Sequence, residues 1–161
     1  QQTEIPSVFS IGYIQGLGST NVVPDKVEMM GTLRAMDEDW RANAHKKMLT
    51  VSDDLAKKYQ VEIDFEIRKG YPFLENDKAL TTKAVESAKT YLGVENVVQL
   101  PIRMTAEDFA YFTKELPACF YRLGTANTAK GITYGLHTSR FDIDEKALEI
   151  GMGLMAWLAI N

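Results

Sequence analysis

With 161 residues, 45% of them hydrophobic and 25% charged, the chain has the makeup of a globular protein of one ordinary domain or two small ones, not of a disordered tail. A formal net charge of -4, with no basic stripe interleaved with aromatics, gives no electrostatic reason to expect nucleic acid. The single cysteine, Cys119, excludes an internal disulfide and suits a reducing, cytoplasmic compartment.

The chain opens on Gln1-Gln2-Thr3 without a signal sequence, and it is expected to continue something longer. Val8 to Ile14 reads as a strand, ended by the glycine-rich turn Gln15 to Thr20. Asn21-Val22-Val23-Pro24-Asp25 is a turn-forming link. Val27 to Ala35 follows as a second strand, with Val27, Met29 and Leu33 on one face and Glu28, Thr32 and Arg34 on the other. Asp37 is placed to cap a helix whose apolar positions are Ala44, Met48, Val51, Leu55 and Tyr59. Val61 to Arg68 alternates strictly and predicts a third strand with one buried face. The first half is therefore β-β-α-β, most simply a helix on one face of an antiparallel sheet.

Gly70-Tyr71-Pro72-Phe73 breaks the pattern and divides the chain into residues 1–71 and 72–161. Asn76 or Asp77 caps a second helix, which Gly93 stops. Short strands are predicted at Asn96 to Ile102 and Cys119 to Gly124, and between them Thr105 caps a helix that Pro117 ends. Asp144 caps the last segment, Ala147 to Ile160. It is too short, and too interrupted by Gly151 and Gly153, to cross a bilayer, and reads as a buried helix. This half has the α/β grammar of an open sheet.

Four features bear on chemistry. His137, on a loop just before the last helix, is either a metal ligand or general base, or an ordinary loop residue. Asn21 and Arg34 can grip a carboxylate or polarise a carbonyl, or can be a turn asparagine and a solvated strand arginine. Glu107-Asp108 suggests paired carboxylates, though acids belong in the first turn of a helix anyway. Cys119 reads as a small buried hydrophobe. With two histidines, and no His-x-Asp, His-Glu-x-x-His or Cys-x-x-Cys pairing, the residues alone do not assemble a hydrolytic metal site.

Taken in order, several stretches resemble one family. Thr20-Asn21-Val22-Val23-Pro24-Asp25 and Gly31-Thr32-Leu33-Arg34 are similar to the lid signature of the co-catalytic metal amidohydrolases and carboxypeptidases of metallopeptidase clan MH, which include hippurate hydrolase, aminoacylase and the indole-acetyl-amino-acid hydrolases. Gly70-Tyr71-Pro72, Asn76-Asp77, Met104 to Phe109, Phe120 to Gly124 and Leu136 to Glu145 follow in that family's order and spacing.

The resemblance implies an α/β fold. A partial ferredoxin-like lid and dimerisation domain (β-β-α-β, residues 1–71) would precede the C-terminal part of a zinc-peptidase-like catalytic domain (residues 72–161). It implies that His137 is the last ligand of a pair of divalent metals, zinc or manganese. Asn21 and Arg34 would bind the substrate's carbonyl or carboxylate, and Thr105 and Glu107 would lie near it. The substrate implied is an N-acyl amino acid or small peptide, and the assembly a homodimer formed through the lid, with no nucleic acid or membrane partner. The family's other ligands and its general-base glutamate have no counterpart here, so the chain alone is expected to be inactive. The alternative is a non-catalytic dimerisation or binding module.

Overall fold

Two segments form an antiparallel pair, β1 (Ser7–Gly16), rich in β-branched and aromatic residues, and β2 (Val27–Ala35). In this computed structural model residues 5–161 are described, and Gln1–Glu4, which bear the expectation about the start of the chain, lie outside the described residues. Val8 faces Arg34 and Ser10 faces Thr32 across the pair, with the last two hydroxyls 3.2 Å apart. Arg34 therefore stands on the polar face that the alternation assigned to it. The register shifts between Ile11 and Tyr13, a bulge that increases the local twist. Gly31 is required: a Cβ there would strike the Ser10 carbonyl oxygen.

The helix α1 (Glu38–Tyr59) packs on β2. Its start is fixed by Asp37, whose carboxylate accepts from the Trp40 amide at 2.7 Å, with Glu38 and Asp39 in the first turn. Its end is fixed by Gln60 in the left-handed conformation (φ 55°), where the Gln60 amide donates to Ala56. The expected stripe is buried only in part, and Leu55 and Tyr59 are exposed. The buried side chain of α1 is Arg41, 8% exposed. It donates to the Tyr71 carbonyl at 2.8 Å and pairs with Glu38, which also accepts from the Phe73 amide at 3.1 Å.

The predicted third strand is corrected. Val61 to Arg68 belongs to no sheet, and Val61, Ile63 and Phe65 are exposed. Alternation makes a segment fit to be a strand, but a strand exists only where another backbone offers it a ladder, and none of the described residues does.

In the second half α2 (Lys78–Leu92) packs against α4 (Lys146–Ile160). Asp77 caps α2, accepting from the Leu80 amide at 2.8 Å. The neighbouring Asn76 is engaged elsewhere, its side chain donating to the Phe120 carbonyl at 2.9 Å and accepting from the Phe120 amide at 2.8 Å. An asparagine side chain thus takes the place of a strand partner, and the strand predicted at Cys119 to Gly124 is not formed. The strand predicted at Asn96 to Ile102 is also absent, and a 3-10 turn at Val94–Asn96 leads into irregular chain. The helix expected to follow Thr105 starts later, as a second 3-10 turn at Asp108–Tyr111 that runs into the short α3 (Phe112–Glu115).

The last helix is not buried all round. Ala147 and Leu154 are buried, whereas Leu148, Met152, Met155 and Ile160 on other faces are exposed. Among the described residues no helix is long and apolar enough to cross a membrane. On the α2 side, Trp157 donates through Nε1 to the Ser87 carbonyl at 3.0 Å, and its ring lies 5.7 Å from that of Tyr91.

Gly153 makes this approach possible, because a Cβ there would fall on the Tyr91 hydroxyl. Replacing a helical glycine by alanine gains about 0.5–1 kcal/mol in propensity. Overpacking a close helix contact costs about 1–3 kcal/mol. The clash should win, so Gly153→Ala is expected to lower stability by about 1–2 kcal/mol in urea titration. A rise in the midpoint would refute this account of the contact.

The described chain divides into two units, residues 5–74 with Ile102–Tyr111, and Glu75–Pro101 with Phe112–Asn161. The buried centre of the first includes Ala35, Arg41 and Ala110, and that of the second Ala118, Ala147 and Leu154. The whole is a mixed α/β fold with a small sheet.

Candidate metal and substrate site

Asn21 sits in the turn that feeds β2. A bridge between Ser19 and Val22 closes this turn, with both backbone hydrogen bonds made, at 3.3 and 3.2 Å. Ser19 Oγ donates to Asn21 Oδ1 at 3.0 Å, which leaves the Nδ2 hydrogens as the donors the side chain has to offer. Arg34 is half-buried on β2 beside Thr32. Thr105 is exposed and Glu107 half-buried, the latter supplying the carbonyl that accepts from the Ala110 amide at 3.2 Å. These four belong to the first unit and His137 to the second.

His137 lies on an exposed turn with φ at 63°, in the left-handed region that side chains other than glycine seldom adopt. Inside the turn the Thr138 hydroxyl donates to the Gly135 carbonyl at 2.9 Å, and the Phe141 amide donates to the Thr138 carbonyl at 3.2 Å. An exposed imidazole is a donor that suits zinc as one ligand of several. Among the described residues no three His, Cys, Asp or Glu side chains gather closely enough to hold an ion by themselves.

Past the turn, Asp144 ties the loop to the start of α4. Its carboxylate accepts from Asn127 Nδ2 at 2.5 Å and from Lys130 Nζ at 2.6 Å. The Lys146 amide also donates to it, at 3.3 Å, but the cap position of the helix, which begins at Lys146, is Glu145, one residue beyond the expected Asp144. The asparagine hydrogen bond, then the lysine, hold the Asp144 carboxyl down to about 2. A carboxylate depressed in the folded state stabilises the fold above its unfolded value and loses that contribution as pH falls through the folded one. Stability should therefore decline from about pH 4 to about pH 2. Asp144→Asn is expected to flatten that decline in acid titrations followed by circular dichroism, and an unchanged profile would show that other groups govern it.

The chain-long order of motifs has a counterpart among known proteins. The pattern of the M20/M25/M40 peptidase family matches residues 5–161. The chain belongs to that family. Thermostable carboxypeptidase 2 of Saccharolobus solfataricus is 32% identical over 157 residues, covering 97% of this chain and 39% of that protein. N-acetyldiaminopimelate deacetylase of Enterococcus faecalis is 27% identical over 152 residues, covering 92% of this chain and 38% of that one. Among solved structures, the Bacillus subtilis YXEP protein, a dinuclear metal binding peptidase from the M20 family, superposes with a TM-score of 0.75 at 30% identity, over 96% of this chain and 41% of its own. The chain thus spans about two-fifths of the length of the relatives it matches.

Two features of the site were not read from the sequence. One is the Ser19 support for Asn21, signalled only by an ordinary Ser-x-Asn spacing. The other is a contact between Tyr134 and Arg140 on either side of His137, which an aromatic and an arginine equally spaced about the histidine could have suggested.

Proposed function

We propose that this chain forms part of a metal-dependent amidohydrolase or peptidase that cleaves the amide bond of N-acyl amino acids or small peptides. The carrying observation is the family match along residues 5–161, which includes an exposed His137 on a tight turn. In this reading residues 1–71 serve as a lid, residues 72–161 close the catalytic domain, and the intact enzyme holds two divalent ions. When bound, such ions polarise the scissile carbonyl and acidify a water. His137 supplies one ligand, and as an imidazole it favours zinc over manganese. Arg34 offers a planar fork for the substrate's carboxylate, and Asn21 offers neutral N–H donors where negative charge grows on the carbonyl oxygen. Thr105 and Glu107 meet the remaining polar groups of the substrate. The chain by itself is inactive, because the general base and most ligands come from elsewhere in the enzyme.

In the whole enzyme, hydrolysis of N-acetyl and N-benzoyl amino acids is expected to be lost on chelation and restored by Zn²⁺. His137→Ala should abolish both the activity and the stoichiometric metal measured by atomic emission. Activity that survives chelation and His137→Ala alike would overturn the proposal.

A homodimer through the lid has its own support. β1 exposes Val8, Phe9, Ile11 and Ile14, and apolar residues on a strand at a sheet edge are suited to pairing with a second copy. A non-catalytic module would use the same edge, and sedimentation velocity tests it: a monomer at all concentrations removes both ideas.

A further inference from the structure

Among the described residues two that are not glycine have positive φ, Gln60 and His137. Gln60 ends a helix, where the left-handed conformation is routine. His137 ends no helix, and although histidine enters this region more readily than most residues, its neighbours in the turn decide whether it stays there. Three residues before it stands Tyr134 and three after it Arg140. Arg140 Nη1 donates to the Tyr134 hydroxyl at 2.7 Å, and its guanidinium lies 5.2 Å from the centre of the tyrosine ring. The two side chains close a clasp that encloses the Gly135–Thr138 hydrogen bond, while the Thr138–Phe141 bond reaches one residue past Arg140. A planar guanidinium can stack on a ring and donate at the same time, and a lysine ammonium cannot do both in one geometry.

We propose that Tyr134 and Arg140 are positioning residues. Resting on the ligand role proposed for His137, they hold its backbone left-handed and so fix the direction in which the imidazole leaves the chain. Neither residue touches the ion. Outer partners of a metal ligand generally set affinity in this way, by fixing the ligand's orientation before the ion arrives.

The test reads the backbone and the metal separately. In the full chain, a residue with positive φ gives a strong cross-peak between its own amide and α protons, so His137 should show one in ¹⁵N-separated NOE spectra. Arg140→Met should weaken that peak, Arg140→Lys should restore it only in part, and Tyr134→Phe, which keeps the ring and loses the acceptor, should fall between. In the whole enzyme, Zn²⁺ affinity measured by competition with a chelator should fall about ten- to hundredfold in Arg140→Met. A His137 peak as strong in Arg140→Met and Tyr134→Phe as in the parent overturns the clasp. So does a raised KM with the peak unchanged, which would make Arg140 a substrate contact. If the peak weakens while Zn²⁺ affinity is indifferent to His137→Ala as well, the ligand role of His137 is what fails.

Discussion

Arg41→Met is expected to destabilise the chain by about 3 kcal/mol. Arg41 is 8% exposed, and its guanidinium serves two partners, the Tyr71 carbonyl at 2.8 Å and the Glu38 carboxylate. Methionine fills a similar volume, so little of the cost comes from a cavity. It comes from leaving the Tyr71 carbonyl without its donor, about 1–3 kcal/mol, and Glu38 without its counter-charge. The second part is softened because Glu38 is about a third exposed and lies in the first turn of α1, where the helix dipole favours a negative charge. Arg41→Lys should recover only part of the loss, since one ammonium cannot reproduce the two-pronged contact. Hydrogen exchange locates the effect: the Phe73 amide, which donates to Glu38 at 3.1 Å, should exchange faster in both variants. If Arg41→Met leaves the urea midpoint and the Phe73 amide unchanged, the network does not hold the 71–73 stretch to α1.

Asn21→Ala, made in the whole enzyme, is expected to lower kcat/KM by about 10²–10³, the usual loss on removing one donor from a developing oxyanion. Asn21→Asp should be at least as damaging, because a carboxylate has no hydrogen to give and brings charge of the wrong sign. Ser19→Ala tests the support: it frees Asn21 Oδ1 from its 3.0 Å hydrogen bond and should cost less, mostly through orientation. Kinetics on a truncated N-formyl and a full N-benzoyl substrate measure this. A loss confined to KM would assign Asn21 to ground-state binding and defeat the oxyanion role.

The helices α1 and α2 were legible in the sequence because their determinants are local. Asp37 and Asp77 each cap the helix that follows within three residues, and Gln60 and Gly93 end them by a backbone conformation that a single residue adopts. β2 was legible to the residue because its polar and apolar faces alternate against a neighbour only one turn away. Val61 to Arg68 alternates just as well and is not a strand, since pairing depends on a partner that the alternation does not name. Burial of Arg41 was hidden for a related reason: its carbonyl partner lies thirty residues on, and nothing in the helix's own spacing points there. At the site, residue types and order identified Asn21, Arg34 and His137 as candidates through a family likeness. The left-handed backbone of His137 was not read, because histidine's enrichment at positive φ is too small to single out one position.

The membership of Ile102–Tyr111 in the first unit has a consequence for synthesis. A chain made from its amino end carries Ala35 and Arg41 early, but Ala110, which is 0% exposed, must emerge before that unit can close its interior. By then Glu75–Pro101, a large part of the second unit, has already been made and must wait as well, since its remainder starts at Phe112. The first unit therefore cannot close its interior until part of the second has been made, and the second is completed only after the first has all its residues.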